Sequence, residues 1–541
     1  MRQVLVLVVL GFLIACSGTG ELSSIWTADE PLYTPVPDPW WQDAVFYEVF
    51  VGSFKDSDTD GWGDLRGLIE KLDYLNDGNP LGGSDLEVTA LWLMPIFDSP
   101  SYHGYDVRDF KAIRPSYGTL DDLRTLLYEA NLRGMRVILD LPLNHTSIEH
   151  PWFVQARRGP DNPARNFYIW QDVKPDWKSP WGSDVWHAAG PSFYYGLFSP
   201  VMPDLNYNSA DVAFSMKEVI RYWIEDIGVD GFRLDGVKHL IEEGPVQEHT
   251  ESTRALLRRA YGYIKSVNPE VVLVGEIWSD TRTIATYTGD QVDLGLEFNT
   301  AGAILESART GRRAPVDQAF GLDQASYPEN HFGTFLTNHD MVRVFNALDD
   351  NLKRCYVAAS LLLTGPGIPF LYYGEEIGLA GRKPDENIRA PLPWAGDRSV
   401  GSSRGFTLWN DPQTPRVINV AGQTDDAGSL LSHYRRLIRL RNRNPALRRG
   451  TWTAVTTTDP GVYAGLRTTP TQQMLVVINL TDAPVSEYAL SAPAGTFRPG
   501  LVSERLWEAR VRDPEIPADG SLTGYKPLPV LDPHQTLVIE V

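Results

Sequence analysis

Eight short apolar runs, separated by stretches with helical spacing of apolar residues, constrain this chain more than any other feature of its sequence. The runs begin at Ala44 (AVFYEVF), Thr89 (TALWLMPI), Met135 (MRVILDLPLNH), Gly231 (GFRLDGVKH), Val271 (VVLVGEIW), Asp293 (DLGLEF), Gly333 (GTFLTNHD) and Ile368 (IPFLYYGEE). Short apolar runs that alternate with helical patterns are typical of βα units around a parallel sheet. Eight such units predict an α/β fold, a closed (β/α)8 TIM barrel.

Two parts of the chain lie outside the predicted barrel, and their sequences predict two further domains. Residues 146–208, between the third and fourth runs, are rich in Trp, Pro and Gly, so we expect a small inserted domain over one end of the barrel. After a last amphipathic helix in SLLSHYRRLIRLRNRNPAL, residues 448–541 contain short alternating apolar runs that predict an antiparallel β-sandwich. The barrel then comprises residues 41–145 and 209–447.

The N-terminus predicts export and a lipid anchor. A basic start precedes an apolar run, residues 4–15, that is too short to span a bilayer. Its end, LIACS, resembles the lipobox of bacterial lipoproteins, in which cleavage leaves Cys16 as an acylated first residue. We expect a signal peptide over residues 1–15, a Pro-rich tether over residues 16–40, and a protein anchored to a bacterial membrane in the cell envelope. An ordinary signal peptide cut nearby is the alternative.

The composition excludes one class of partner. The formal net charge of −20 argues against a nucleic acid, which requires a basic face, whereas a neutral sugar polymer requires no charge. The 16 Trp and 23 Tyr residues supply flat rings that suit the apolar faces of sugars, although most of them fill cores. We expect a monomer.

Ionisable residues stand at the ends of several predicted strands, among them Asp235, Glu276 and Asp340. Catalytic residues of a TIM barrel lie at the C-terminal ends of its strands, so we expect these side chains on one rim. Glycoside hydrolysis with retention needs two carboxyl groups about 5 Å apart, one to attack the anomeric carbon and one to protonate the leaving oxygen. Arg233 precedes Asp235 by two residues, so both point to the same side of a strand, where the guanidinium would keep a nucleophile ionised. The apolar strand that ends at Glu276 and neighbouring aromatic residues such as Trp278 would raise the pKa of Glu276.

Four segments resemble the ordered sequence regions of the α-amylase family, glycoside hydrolase family 13: DLPLNH, GFRLDGVKH, VGEIW and FLTNHD. The resemblance extends from about Trp41 to the C-terminus. It implies that Asp235 is the nucleophile, Glu276 the acid/base and Asp340 a stabiliser of the transition state. It also implies a set of residues around the glucose whose bond is cleaved, in subsite −1: His103, Tyr105, His145, Arg233 and His339.

Three further features bear on the bond that is cleaved. The segment MPDLN, residues 202–206, is intermediate between QPDLN of the oligo-1,6-glucosidase group and MPKLN of the neopullulanase group, and so resembles bacterial lipoprotein α-amylases. Gly236 stands where enzymes that prefer α-1,6 bonds tend to carry Val. Lys238 and His239 resemble a pair that faces the leaving-group side in α-amylases. The resemblance therefore implies α-1,4 bonds of starch, maltodextrins and related α-glucans as substrates.

Asp106 and Arg389 imply a different specificity. They resemble the pair that closes subsite −1 around a terminal glucose in exo-acting glucosidases. An α-glucosidase or oligo-1,6-glucosidase, or a transglycosylase acting on short oligosaccharides, therefore remains an alternative within the same enzyme class. A catalytically silent, sugar-binding lipoprotein is the alternative of another class, and the intact set of three carboxylates argues against it.

The segment DSDTDGWGD, residues 56–64, places carboxylates at alternating positions, as hard oxygen ligands for Ca²⁺. An EF-hand is not expected, because Gly67 occupies its twelfth position. The segment resembles the calcium loop of oligo-1,6-glucosidase relatives, which implies a structural Ca²⁺ on Asp56, Asp58, Asp60, Asp64 and the carbonyl of Trp62. A second calcium site of many α-amylases would use Asn144, Asp204 and the carbonyl of His239.

Overall fold

All eight apolar runs form strands of one closed parallel barrel in the computed structural model, which confirms the predicted fold. Strands are numbered in chain order, and their order around the barrel is β1 (Phe46–Val49), β13 (Ile368–Tyr372), β12 (Phe332–Phe335), β11 (Leu294–Leu296), β10 (Val272–Gly275), β9 (Gly231–Leu234), β5 (Arg136–Leu141) and β2 (Ala90–Leu93). The structure describes residues 36–80, 82–328, 330–396, 415, 418–499 and 511–541. The predicted signal peptide, the predicted acylation site Cys16 and most of the predicted tether lie outside these residues.

The barrel strands are buried on both faces, which is why they read as continuous apolar runs. Alternate residues belong to two separate cores. Phe46 and Trp92 pack with other inward-facing side chains in the barrel centre, whereas Tyr47 and Leu91 belong to the larger core between strands and helices. This alternation fills the interior with side chains, so the barrel is a solid scaffold whose rim carries the polar groups.

Helices follow the strands and cover the barrel. Thr119 caps the helix that begins at Leu120 in a reciprocal capping box with Asp122, and Leu123, Leu126 and Ala130 form its buried face. The α-helices are α1 (Val51–Phe54), α2 (Leu65–Glu70), α3 (Leu72–Leu75), α4 (Leu120–Leu132), α5 (Pro151–Ala156), α6 (Ala210–Arg221), α7 (Glu251–Val267), α8 (Thr281–Ala285), α9 (Phe298–Thr310), α10 (Ala314–Ser326), α11 (Val344–Ala347), α12 (Leu352–Thr364), α13 (Asp385–Ile388), α14 (Val420–Thr424), α15 (Leu430–Arg443) and α16 (Pro445–Arg449). The amphipathic helix predicted at the end of the barrel is α15.

The segment between β5 and β9 contains a small antiparallel sheet of its own. Its strands are β6 (Trp170–Gln171), β7 (Trp186–Ala189) and β8 (Ser192–Tyr195), with β8 in the centre. A β-bridge pairs His145 with Asp204, and the N–H of Leu205 donates to the carbonyl of Asn144 at 2.8 Å. These contacts fix the inserted segment to the C-terminal end of β5. The hairpin of β3 (Phe97–Asp98) and β4 (Asp109–Ile113) follows β2.

The C-terminal part forms two antiparallel sheets around a separate apolar core. One contains β14 (Thr451–Ala454), β16 (Val462–Thr468), β17 (Gln473–Asn479) and β20 (Thr536–Glu540), and the other β15 (Thr456–Thr457), β18 (Leu490–Ala492) and β19 (Leu522–Tyr525). Buried Arg467 joins this part to the barrel, since its guanidinium donates to the carbonyls of Thr364 and Gly450. Over the described ranges, no helix is both long and apolar enough to cross a membrane.

Candidate active site

Three carboxylates lie at the C-terminal ends of neighbouring barrel strands. Asp235 directly follows β9, Glu276 directly follows β10, and Asp340 lies in the loop after β12. The N–H of Glu276 donates to the carbonyl of Leu234, so the first two are in register on adjacent strands. The side chains of Asp235, Glu276 and Asp340 are 14%, 15% and 35% exposed. They are therefore largely desolvated but open to a ligand.

One guanidinium joins the carboxylates of Asp235 and Glu276. Arg233, fully buried on β9, places Nη1 2.8 Å from Asp235 Oδ1 and Nη2 3.0 Å from Glu276 Oε2. Asp140, near the end of β5, contacts the same guanidinium, and its Oδ1 lies 2.8 Å from Nη1. Because both rim carboxylates contact one planar group, they lie close together, as attack and protonation at a single glycosidic bond require.

Burial dominates the pKa values of these two groups. It raises the pKa of Asp235 to about 6, although Arg233 opposes the shift. Arg233 favours the ionised form of Asp235, in the direction that the sequence predicts, and Asp235 is ionised at neutral pH. Burial likewise raises the pKa of Glu276. The apolar surroundings were one expected cause of that shift; Trp278, the other, is 56% exposed and stacks on Phe298 with ring centroids 4.9 Å apart.

Asp340 has the opposite electrostatic environment. Its Oδ2 lies 3.2 Å from His339 Nε2, and its Oδ1 lies 2.8 Å from Arg389 Nη2. The other nitrogen of His339, Nδ1, lies 2.5 Å from Glu48 Oε1. Burial disfavours a charged imidazole, but Asp340 and Glu48 outweigh it and raise the pKa of His339 to about 10. The pKa of Asp340 lies far below its usual value despite burial, because His339 and Arg389 are cations. Asp340 is therefore ionised at neutral pH.

His145 places two ring nitrogens in the same site. It is 2% exposed, and neither ring nitrogen has a hydrogen-bond partner in the described part of the chain. Burial lowers its pKa to about 4, so the ring is neutral and offers one donor and one acceptor. Buried polar atoms without partners are costly and mark a place where a ligand supplies the missing bonds.

Tyr105 lies beside His339, and His103 lies beside Tyr105. The hydroxyl of Tyr105 is 2.6 Å from His339 Nε2 and donates to Asp140 Oδ2 at 3.0 Å, and its ring stacks on His339. His103 stacks on Tyr105 in turn, and its Nδ1 accepts the N–H of Tyr105. Burial lowers the pKa of His103. The hydrogen bonds fix the Tyr105 ring beside the carboxylates.

Asp106 and Arg389 have separate hydrogen-bond partners in the structure. Asp106 Oδ1 accepts hydrogen bonds from the hydroxyls of Ser99, at 2.7 Å, and Ser101. Arg389 instead contacts Asp340 and, at 3.4 Å, Asp385. No ion pair joins Asp106 to Arg389 among the residues that the structure describes. The hydroxyls of two serines therefore donate to Asp106, whereas the guanidinium of Arg389 donates to Asp340.

Lys238 and His239 follow Gly236 on the loop after β9. Lys238 Nζ lies 2.7 Å from Glu248 Oε2 and donates to the carbonyl of Trp278 at 2.9 Å. His239 Nδ1 is 2.8 Å from the carbonyl of Gln247, and burial lowers the pKa of His239 to about 4. Lys238 therefore ties the loop after β9 to the loop after β10, on the side of Glu276.

The predicted calcium loop brings together three of its four carboxylates. Oxygen atoms of Asp56, Asp58 and Asp64 all lie within 4.8 Å of one another, which is compatible with one Ca²⁺ that takes oxygen ligands at about 2.3–2.6 Å. Asp60 is not in this group; its Oδ1 accepts the N–H of Trp62 at 2.7 Å. The donor set is oxygen-only and fits a hard cation.

The second predicted calcium site contains a carboxyl group that the sequence did not indicate. Asp204 accepts hydrogen bonds from Asn144 Nδ2 at 2.8 Å and from the N–H of Leu197 at 3.0 Å. Burial raises the pKa of Asp204 to about 7, and burial and the charge of Asp204 raise the pKa of Glu242 to about 8. Oε1 of Glu242 has no hydrogen-bond partner, and no ion pair compensates either carboxyl, within the described ranges. The unpartnered Oε1 of Glu242 and the carboxylate of Asp204 fit a cation.

Two supporting carboxylates were also missed, Glu48 and Asp140. Each is buried at the end of an apolar strand, where it contacts His339 or Arg233. A carboxylate inside an otherwise apolar run was the available signal, because such a group is buried only with a partner. Both residues orient groups that touch the rim carboxylates.

At the rim of this closed parallel barrel, two carboxylates contact one arginine and a third carboxylate lies between two cations. This arrangement is that of the active site of a barrel glycoside hydrolase. The model of the α-amylase catalytic domain matches residues 48–450. The chain is 39% identical to alpha-amylase 3 of Dictyoglomus thermophilum over 450 residues, 82% of this chain and 86% of that protein. It is 34% identical to the trehalose synthase/amylase TreS of Mycolicibacterium smegmatis over 501 residues, 81% and 82% of the two chains. The crystal structure of the alpha-amylase from H. orenii superposes with a TM-score of 0.80 at 37% identity, covering 92% of this chain and 99% of that one.

The chain belongs to the α-amylase family of glycoside hydrolases, as its four sequence motifs predict.

Proposed function

We propose that this enzyme hydrolyses α-1,4-glucosidic bonds in starch, maltodextrins and related α-glucans with retention of configuration. Asp235 attacks the anomeric carbon and forms a covalent glucosyl ester. Glu276 donates a proton to the departing glycosidic oxygen, and its carboxylate then takes a proton from the water that hydrolyses the ester. The observation that carries the proposal is the contact of both carboxylates with the guanidinium of Arg233.

The contacts of the two carboxylates support these separate roles. Asp235, with a pKa of about 6, is ionised at neutral pH and can act as the nucleophile. Glu276 has a raised pKa and receives both of its contacts, from Arg233 and the N–H of Gly236, on Oε2. No hydrogen bond reaches Oε1 from the described residues, so this oxygen is the one to carry the transferable proton. Asp340 remains an anion and would stabilise the positive charge of the oxocarbenium-like transition state.

The neighbouring residues would bind the glucose in subsite −1. The free ring nitrogens of His145 would complete their hydrogen bonds with sugar hydroxyls. The ring of Tyr105 would stack on the sugar, and His339 and Arg389 would hold Asp340 in its ionised form. His103 would support the Tyr105 ring.

Endo action on α-1,4 bonds is the specificity that the site favours. Gly236 places no side chain beside Glu276, and Asp106 and Arg389 hydrogen-bond to Ser99 and Asp340, with no ion pair between them among the described residues. Transfer of the glucosyl group to a second sugar would use the same ester intermediate. A relative named trehalose synthase/amylase makes such transfer the second candidate activity.

Bound Ca²⁺ is part of the proposal. Asp56, Asp58 and Asp64 would hold one ion in the loop between α1 and α2, and Asn144, Asp204 and the carbonyl of His239 a second one at the inserted segment. Both would stabilise loops and take no part in bond cleavage. Acylation of Cys16 and attachment to the cell envelope also belong to this proposal, and they rest on the sequence alone.

The test is hydrolysis of soluble starch by the wild-type enzyme and Asp235→Asn, with Asp73→Asn as a matched control. Asp73 is a surface residue whose carboxylate pairs with Arg133. We expect loss of activity in D235N only. Equal activity in D235N and wild type would refute the role of Asp235, and an inactive wild type would favour a sugar-binding protein. Sizing the early products separates endo from exo action and hydrolysis from transfer.

A further inference from the structure

Three consecutive backbone carbonyls, at residues 388–390, accept hydrogen bonds from side chains in other parts of the barrel. The hydroxyl of Ser53, on α1, donates to the carbonyl of Arg389 at 2.6 Å. The hydroxyl of Tyr373, directly after β13, donates to the carbonyl of Ala390 at 2.7 Å. Ser53 and Tyr373 are fully buried. Because a buried hydrogen bond holds both of its partners in place, these two contacts fix the backbone from which the side chain of Arg389 extends.

The remaining carbonyl, that of Ile388, has two side-chain donors. Nε of Arg343 donates to it at 2.8 Å, and the hydroxyl of Tyr372 donates to it at 3.1 Å. Arg343 is 1% exposed, and its guanidinium lies over the rings of Tyr372 and Tyr373, 4.4 and 4.6 Å from their centroids. Arg343 follows Asp340 by three residues, so it joins the loop after β12 to the loop after β13.

The fixed backbone places the guanidinium of Arg389 against Asp340. Nη2 of Arg389 donates to Asp340 Oδ1 at 2.8 Å, and Nε donates to the carbonyl of His339 at 3.0 Å. The side chain of Arg389 is only 4% exposed, whereas that of Asp340 is 35% exposed. A partly exposed carboxylate rotates toward water unless its partner is held, and an arginine side chain has many rotamers. The orientation of Asp340 therefore depends on how firmly Arg389 is fixed.

The four side chains that donate to these carbonyls, which we call the carbonyl clamp, are Ser53, Arg343, Tyr372 and Tyr373. We propose that the carbonyl clamp positions Asp340 for catalysis and acts on it through the guanidinium of Arg389. This inference rests on the proposed function, in which the charge of Asp340 stabilises the transition state. Such stabilisation is greatest when the charge is held in place before the reaction. The clamp therefore contributes to the rate in addition to satisfying three buried carbonyls.

The test removes single hydroxyl groups and measures kcat/KM for α-glucosyl fluoride, whose leaving group needs no proton. The variants are Ser53→Ala, Tyr373→Phe and Tyr372→Phe. Tyr488→Phe is the matched control, because Tyr488 is 1% exposed and its hydroxyl also donates to a backbone carbonyl at 2.7 Å, that of Leu528 in the C-terminal part. A second measurement is the calorimetric affinity for 1-deoxynojirimycin, a sugar analogue whose positive charge resembles that of the transition state and whose binding needs no turnover.

For S53A and Y373F we expect kcat/KM and the affinity for 1-deoxynojirimycin to fall roughly two- to tenfold, the range that the loss of one hydrogen bond allows. Y372F should lose less than Y373F, because the carbonyl of Ile388 keeps its bond from Arg343. Y488F should retain the kcat/KM and the affinity of the wild type, although its thermal unfolding midpoint falls as that of Y373F does.

The route through Arg389 is tested by combining Y373F with Arg389→Ala. Once the guanidinium is absent, the clamp has nothing left to position, so Y373F should cause no further loss of kcat/KM or of affinity for 1-deoxynojirimycin. The effects of the two substitutions should therefore be strongly non-additive, whereas those of Y488F and R389A should add.

Two outcomes would overturn the inference. Wild-type kcat/KM and wild-type affinity in both S53A and Y373F would show that the clamp contributes to stability alone. A loss in Y373F of equal size with and without Arg389 would show that the hydroxyl acts by another route. An inactive wild type would refute the proposed function as well, whereas an active wild type with either of these two results would refute the inference alone.

Discussion

Replacing Arg233 by lysine should separate the two carboxylates that its guanidinium now holds. The guanidinium contacts Asp235 at 2.8 Å, Glu276 at 3.0 Å and Asp140 at 2.8 Å. An ammonium is a point charge on a flexible chain and cannot span all three. If two hydrogen bonds to charged groups are lost, at about 1.5–3 kcal/mol each, the transition state is destabilised by about 3–6 kcal/mol. We therefore expect kcat/KM to fall roughly 10²- to 10⁴-fold.

The same variant should move the acidic limb of the pH profile. Arg233 lowers the pKa of Asp235 against the effect of burial, and the balance is a pKa of about 6. A weaker cation lets this pKa rise, and activity requires the ionised form, so activity is lost at a higher pH as the solution is acidified. The assay is kcat/KM for α-glucosyl fluoride between about pH 4 and 9, together with the thermal unfolding midpoint.

Arg136→Lys is the control for this substitution, because Arg136 pairs with Asp230 at the start of β5, away from the rim. A less than tenfold loss in R233K, with an unchanged acidic limb, would refute the idea that one guanidinium organises the catalytic pair.

Three other predictions concern protonation and calcium. Glu276→Gln should lower turnover of maltotriose roughly 10²- to 10⁴-fold, and turnover of α-glucosyl fluoride much less, because fluoride leaves without a proton; equal losses would contradict the acid role. A chelator should lower the thermal unfolding midpoint of the wild type, and Asp58→Asn should reduce the increase in this midpoint when Ca²⁺ is added back. A midpoint that changes neither with chelator nor with Asp58→Asn would refute the calcium proposal. In chelator, the midpoint should fall as pH rises from about 4, the ordinary pKa of a carboxyl group, to about 8, since the folded-state pKa values of Asp204 and Glu242 are raised and their neutral forms are the stable ones. Glu242→Gln should flatten this dependence, and a midpoint constant over that pH range would contradict the raised pKa values.

Features that depend on local sequence were predictable. The barrel strands are apolar on both faces, so each appears as a continuous run, and strand periodicity places Arg233 and Asp235 on the same side, as their 2.8 Å contact shows. The rim positions of Asp235 and Glu276 follow from the ends of those runs. The motifs around them are specific enough to indicate the family from the amino-acid sequence alone.

Features that depend on distant contacts were not predictable. Glu48 and His339 are 291 residues apart in the chain and meet only because β1 and β12 are close in the barrel. The hydroxyl of Ser53 and the carbonyl of Arg389 belong to residues 336 positions apart and meet because β1 and β13 are neighbours in the barrel. The pKa of Asp235 required weighing burial against Arg233, and the degree of burial is a property of the folded site.

Trapping the covalent intermediate tests the central claim most directly. A 2-deoxy-2-fluoro-α-glucosyl donor with a good leaving group should form the ester and slow its hydrolysis, since the fluorine destabilises the positively charged transition state. Proteolysis and mass spectrometry should then locate one glucosyl adduct on the peptide that contains Asp235, with fragmentation placing it on that carboxylate. An adduct on Glu276 or Asp340, or β-configured product released first from an α-glucan, would contradict the proposed mechanism.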